Sequence, residues 1–303
     1  SAMFGVNGYM IRRDILSSKS ATGNLSAFNV LGNSNDKGIG DVTATVENKH
    51  LSVTGKFSNL SGKLTKKNAI YLNIGRNTEE GKILTNLKID SNKNSGAFEG
   101  KIALTNDLLE FLAIGALYVQ INTIQHPNGA LRAQLYPKSD KNPDSSKINS
   151  HKSRNVYGIR NLQALYKIEW DVAGDKDGDF VSYTYQLAKD ENFEHIVFQK
   201  KTGRSTNLKL TEQVLYKLMG EIPEGKTMKF YHRIVVSDGN SLNFSSPALL
   251  QLMKTDEPLY DLIEVPAPEY FFSGKIEDVS GAGYGAEWDN EGKLWLADYN
   301  RGL

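Results

Sequence analysis

Apolar residues in this chain alternate with polar ones far more often than they recur at helical spacing. The runs "LSVTGKF" (51–57), "AIYLNIG" (69–75), "LYVQINT" (117–123), "YTYQLA" (183–188), "HIVFQK" (195–200) and "KFYHRIVVSDG" (229–239) are short, β-branched and aromatic. A strand turns successive side chains to opposite faces, so each run must bury one face against a second layer. Turn-forming clusters separate the runs: "NSNDKG" (33–38), "SNKNSG" (91–96), "HPNG" (126–129), "DKDGD" (175–179) and "SDGNS" (237–241). Only two stretches read as helix. One follows Thr105 and stops at Gly115; the other follows Thr211 and stops at Gly220. Short strands at this spacing predict an all-β fold of stacked sheets rather than an α/β fold.

The pattern breaks twice. "PKSDKNPDSSKINSHKSRN" (137–155) holds two prolines, five serines and almost nothing apolar, so it reads as a linker. Three prolines interrupt the pattern again between 254 and 271. The expected organisation is a β-sandwich over 1–138, a linker over 139–155, a second β-sandwich over 156–255 and a segment over 256–303 too short for its own core. Ser1-Ala2-Met3 reads as the scar of a cleaved expression tag.

Charge and motif content narrow the function. With 36 basic and 35 acidic residues the net charge is +1, which gives no basic excess for nucleic acid or an anionic membrane. There is no cysteine, hence no disulfide scaffold and no thiolate metal site. No apolar run of 18 residues is present to span a membrane as a helix. Hydrolase, zinc-protease and phosphate-loop motifs are missing, and the histidines at 50, 126, 151, 195 and 232 lack metal-ligand spacing. The chain reads as a non-enzyme.

Two stretches carry chemistry. In "HPNGALRAQL" (126–135), a hairpin turning at Pro127-Asn128-Gly129 would put Leu117, Val119, Ile121, Leu131, Ala133 and Leu135 toward a core. Tyr118, Gln120, Asn122, Arg132 and Gln134 then share the opposite, polar face. Arg132 either ties down neighbouring carbonyls or grips an anionic partner, in which case these five residues form a ligand-binding face. In "DKDGD", Asp175, Asp177 and Asp179 offer alternate carboxylates to calcium, or form a polar inter-strand turn; the EF-hand glycine and glutamate positions are not met. Trp170, Tyr185, Leu187, Ile234 and Val236 are the expected core of the second sandwich.

The order "LSVTGKFSNLSG … AIYLNIG … GAFEGKIALTNDLLEFLAIGALYVQINTIQHPNGALRAQL" resembles the CHRD domain over about residues 22–137. The resemblance implies an immunoglobulin-like sandwich with no catalytic activity, typical of secreted and surface proteins. Where that family often has histidines, this chain has Tyr71, Asn73 and Asn122, and where it has Glu this chain has Ala130, which implies no metal in the first domain. Residues 156–253 resemble a fibronectin type III or related Ig-like module. "GAGYGAEWDNEGKLWLADYNRGL" (281–303) is similar to one blade of an NHL-type or SMP-30-like β-propeller, with Glu287, Asp289 and Asp298 assigned no role because one blade cannot assemble their site. Together these imply a non-catalytic recognition or spacer module, secreted or at the cell surface, periplasmic and outer-membrane-anchored locations included. Its partner would be a protein or a glycan. The alternative is the accessory region of an enzyme whose propeller continues past residue 303.

Overall fold

The computed structural model describes residues 4–6, 9–11, 19–92, 94–137, 140–149, 156–255, 284–288 and 294–298. The chain divides into two compact units, Ser1–Leu259 and Tyr260–Leu303. In the first, β1 (Phe4–Val6) and β2 (Tyr9–Ile11) pair as a small antiparallel hairpin ahead of two β-sandwiches. No described helix is long and apolar enough to cross a membrane.

The first sandwich contains β3 (Ser20–Leu25), β4 (Ile39–Glu47), β5 (His50–Ser58), β6 (Ile70–Ile74), β7 (Lys82–Asn86), β8 (Lys88–Asn92), β9 (Ser95–Ala103), β10 (Leu117–Ile121) and β11 (Leu131–Gln134). One sheet has the order β3-β4-β5-β9-β8, the other β11-β10-β6-β7. Val42, Leu51, Val53, Phe98, Leu117, Val119, Ile121, Leu131, Ala133 and Leu135 fill the space between them, so the apolar rows alternate inward as expected. Helix α1 (Asn106–Ala113) begins where the Thr105 side chain accepts from the Leu108 amide, and Gly115 follows it at φ +66°. Leu108 and Leu112 of α1 join the same core.

One turn differs from expectation. The β10–β11 connection spans 122–130 rather than a tight turn at 127–129, and of those three residues only Gly129 has a positive φ. Thr123 leaves the ladder to bridge Leu64, and Thr123 and His126 close the loop with reciprocal backbone hydrogen bonds.

The second sandwich contains β12 (Val156–Ile159), β13 (Leu165–Glu169), β14 (Ser182–Ala188), β15 (Ile196–Gly203), β16 (Asn207–Thr211), α2 (Glu212–Leu218), β17 (Thr227–Ser237), β18 (Leu242–Phe244) and β19 (Ala248–Lys254). Its main sheet runs β12-β19-β17-β14-β15, with β18 on β17, and it faces the β13-β16 pair. Trp170, Tyr185, Leu187, Ile234 and Val236 all lie in its core, with Trp170 edge-on to Tyr183. Residues 140–149, inside the segment read as a linker, are tied to this sandwich. Ile148 enters its core and bridges Trp170, the Ser146 hydroxyl donates to the Asp171 carbonyl, and the Asp144 amide to the Gly174 carbonyl.

The two cores are separate, and a polar seam holds the sandwiches together. Its centre is the turn Ser237-Asp238-Gly239-Asn240 between β17 and β18. The Gln134 amide donates to the Gly239 carbonyl at 2.9 Å, and the Tyr136 hydroxyl to the Asp238 carbonyl at 3.1 Å. The Asn24 amide donates to Asn240 Oδ1 at 2.9 Å, and the Ser237 hydroxyl to Asn29 Oδ1 at 2.7 Å. Gly239 sits at φ +99°, and a Cβ there would meet the Asn77 side chain at 2.7 Å, so both backbone and space call for glycine. Asn77 in turn donates to the carbonyls of Phe180 and Ser237.

In the second unit, β20 (Tyr284–Trp288) pairs antiparallel with β21 (Leu294–Asp298). Asp289 and the other residues of 289–293 lie outside the described residues.

Candidate functional site

The structure gathers the five residues of the polar β10–β11 face and closes them in. Tyr118, Gln120, Asn122, Arg132 and Gln134 are each less than 10% exposed, with Arg132 at 1%. Arg132 lies 3.5 Å over the Tyr118 ring and donates to the carbonyls of Glu79 (3.0 Å) and Arg76 (2.5 Å) and to Gln134 Oε1 (3.2 Å). Burial lowers its guanidinium to about 10, with the phenol of Tyr118 the largest opposing influence. Gln134 donates to the carbonyls of Gly75 and Gly115. Both side chains therefore hold the 75–79 loop, and that loop carries Asn77 into the seam. Arg132 is a fastening post.

Beside it, Gln120 donates to the Tyr71 hydroxyl at 2.7 Å and Asn122 to the Asn68 carbonyl at 3.1 Å. Asn73 donates to the Tyr118 hydroxyl at 2.7 Å. Of the residues that stand where histidines occur in the CHRD pattern, Tyr71 and Asn122 thus share one buried cluster with Gln120, and Asn73 pairs separately with Tyr118. Burial raises the Tyr71 hydroxyl further above its ordinary range.

The Asp175–Asp179 loop serves its own backbone. Asp175 Oδ1 accepts from the amides of Asp177 and Asp179, and Asp177 Oδ2 accepts from the Lys141 amide. Among the described residues no group of three or more His, Asp or Glu is placed to hold a metal ion.

What the sequence did not single out is a groove of about 950 Å³ where the two sandwiches meet. One wall is the 33–39 loop of the first sandwich; the other is 193–199, including the start of β15. Ile39 and Ile196 are 60% and 40% exposed there. Beside the groove stands Arg233 of β17. Its Cζ lies 3.9 Å from the Phe193 ring centre and 4.6 Å from that of Phe244, and Phe244 meets Phe28 of the first sandwich edge-on. A cross-strand chain orients it: Arg233 Nε donates to Gln186 Oε1 (2.8 Å), Gln186 Nε2 to Gln199 Oε1 (2.7 Å), and Gln199 Nε2 to the Ser34 carbonyl (3.1 Å). Burial lowers the Arg233 guanidinium from its ordinary value. At the seam's edge, Lys201 Nζ donates to the Phe28 carbonyl, and burial, with Arg132 nearby, lowers it to about 7. The legible signal was alternation in "KFYHRIVV", which puts Tyr231, Arg233 and Val235 on the face opposite Ile234.

Residues 22–135, which make up most of the first sandwich, match the CHRD domain family. No curated protein sequence matches the chain. Among solved structures it is similar to the FN1–FN3 domains of chicken CNTN1, at 12% identity and a TM-score of 0.23, covering 70% of this chain and 65% of that one. It is also similar to the adhesin domain of Epf from Streptococcus pyogenes, at 10% identity and a TM-score of 0.23, covering 78% of this chain and 93% of that one. At these scores no correspondence of sites follows. The chain spans about two thirds of the length of the chicken fragment. Neither comparison supports the propeller blade that 281–303 resembles.

Two measurements check this geometry. Arg132→Ala takes the guanidinium donor from the Glu79 carbonyl and leaves the Arg76 carbonyl with only the Glu79 amide, and is expected to cost about 3 kcal/mol in urea unfolding; a loss below about 0.5 kcal/mol contradicts the fastening role. Burial raises the Asp238 carboxyl to about 7, with Asp140 and Asp175 adding to it against the amides of Ser241 and Asn240. The folded state therefore keeps a proton that the unfolded chain releases near pH 4. This contribution to stability is full below pH 4 and is lost as pH rises through 7. Asp238→Asn is expected to be more stable than the parent at pH 8 by on the order of 2 kcal/mol and no more stable at pH 4. Equal effects at the two pH values contradict the assignment.

Proposed function

We propose that this chain is a non-catalytic, extracellular or cell-surface recognition module, and that its partner binds in the groove between the sandwiches. The observation that carries this reading is the groove itself. It is open, walled by two sandwiches joined through an ordered seam, and lined by exposed aliphatic side chains, phenyl rings and amides. Such a mixture of apolar surface and fixed polar groups suits binding. Of the charged groups around it, Asp36 accepts from the amides of Gly38 and Ser61, and Arg233 is tied through its Nε to Gln186. The CHRD domain supports the extracellular setting, since the family occurs in secreted and surface proteins.

The second sandwich is read as an Ig-like or fibronectin type III-like partner domain. Its β12 joins β19 in parallel, and β13-β16 faces the larger sheet. The CHRD domain supplies one wall and this domain the other.

The test is a comparison on protein, peptide and glycan arrays between the full chain and its Ile39→Arg/Ile196→Arg variant. Both side chains are exposed, so the melting temperature is expected to stay within a degree or two of the parent. Binding is expected to be lost in the variant. Ligands held equally well by both proteins contradict the groove as the binding surface.

A further inference from the structure

Arg233 is built for an anion that the described residues do not supply. Its Nε is fixed by Gln186 and its planar face is clamped between Phe193 and Phe244. Its two terminal nitrogens have no hydrogen-bond or ionic partner among the described residues. A guanidinium so held has lost its rotational freedom before any ligand arrives, and its terminal nitrogens form the fork that matches a carboxylate bidentately. The four-member chain from the Ser34 carbonyl through Gln199 and Gln186 sets the direction of that fork from both sandwiches at once.

The neighbouring wall is the outer strand of a sheet. β15 pairs with β14 on one side only. The Lys201 amide points away from β14, because Asn33 Oδ1 accepts from it at 2.8 Å. By alternation the backbone of Gln199 points the same way, toward the groove that Glu194–Gln199 line. The Asn33 side chain thus occupies at Lys201 the place an added strand's carbonyl would take. A sheet edge with an apolar border at Ile196 and Ile39 is a template for strand addition. A sugar would need free aromatic faces, and here Phe193 and Phe244 already turn theirs to Arg233, with Phe28 against Phe244.

We infer that the groove takes an extended peptide that adds to the edge of β15 and places a carboxylate on the terminal nitrogens of Arg233. This rests on the groove being the binding surface and goes further by naming the occupant and its anchor.

The experiment starts from a display library of random nine-residue peptides selected on the full chain. The enriched consensus peptide, its Glu→Gln or Asp→Asn counterpart, and two acidic oligosaccharides (a heparin fragment and a polyuronate) are then titrated against the parent, Arg233→Met, Arg233→Lys and the Ile39→Arg/Ile196→Arg variant. Methionine keeps the aliphatic stem between the rings, and its melting temperature is compared with the parent's as the folding control. The expected result is an acidic residue at a fixed consensus position. Arg233→Met and the neutralised peptide should each weaken binding about tenfold or more, with no further loss when combined. Arg233→Lys should recover only part of it, and binding should shift the Gln199 amide resonance. Peptides that bind through Ile39 and Ile196 but ignore Arg233 overturn the anchor and leave the groove reading standing. An acidic oligosaccharide bound in the groove in place of any peptide overturns the peptide occupant, again leaving the groove. Binding that ignores Ile39 and Ile196 altogether overturns the groove reading itself.

Discussion

The seam at Ser237–Asn240 is the constraint on which the rest of the structure depends. Each sandwich has its own apolar core, so neither needs the other to bury oil from water. What joins them is a set of directional bonds, several of them from a backbone amide or to a backbone carbonyl, in which each group on one side finds a fixed partner on the other. Such bonds contribute modestly one by one, but an unmade one leaves a buried polar group without a partner. That asymmetry favours one arrangement of the sandwiches over a hinged pair.

The sidedness of β10 and β11 follows from the same seam. Their inner rows fill the core of the first sandwich, and their outer rows, headed by Arg132 and Gln134, organise the loop that carries Asn77 to the second sandwich. The groove is a consequence. Where the seam ends, the 33–39 loop and the edge strand β15 form the walls of the groove, and the hydrogen-bond chain from Ser34 to Arg233 links the two sandwiches there. A cation presented beside an unpaired strand edge thus exists only because the two sandwiches are held in register.

Much of this fold was legible in the sequence. Alternation identified the inward rows of β10, β11, β14 and β17, and the Thr105 cap and the glycines at 115 and 220 bounded both helices. Alternation also separated Arg132 and its polar neighbours from the core. It could not say whether that second face meets water or another domain, because the covering groups, the 75–79 loop and the Gly239 turn, are far away in sequence. The 140–149 segment was opaque for a related reason. Its attachment rests on backbone hydrogen bonds and on the single apolar anchor Ile148, and composition does not register either. Arg233 was passed over since nothing local distinguishes it; its meaning comes from Phe193, Phe244 and Gln186, which three other elements bring to it.

The most direct test of the account is the distance between the two sandwiches in solution. The chain has no cysteine, so paired substitutions at the exposed Lys101 of β9 and Lys209 of β16 allow specific spin labelling. Double electron–electron resonance on the full chain should give one narrow distance distribution, broadened when Asn240 and Tyr136 are replaced by Ala and Phe. A broad or multi-peaked distribution in the otherwise unaltered chain would mean that the sandwiches move independently, and the groove between them would then be no fixed surface.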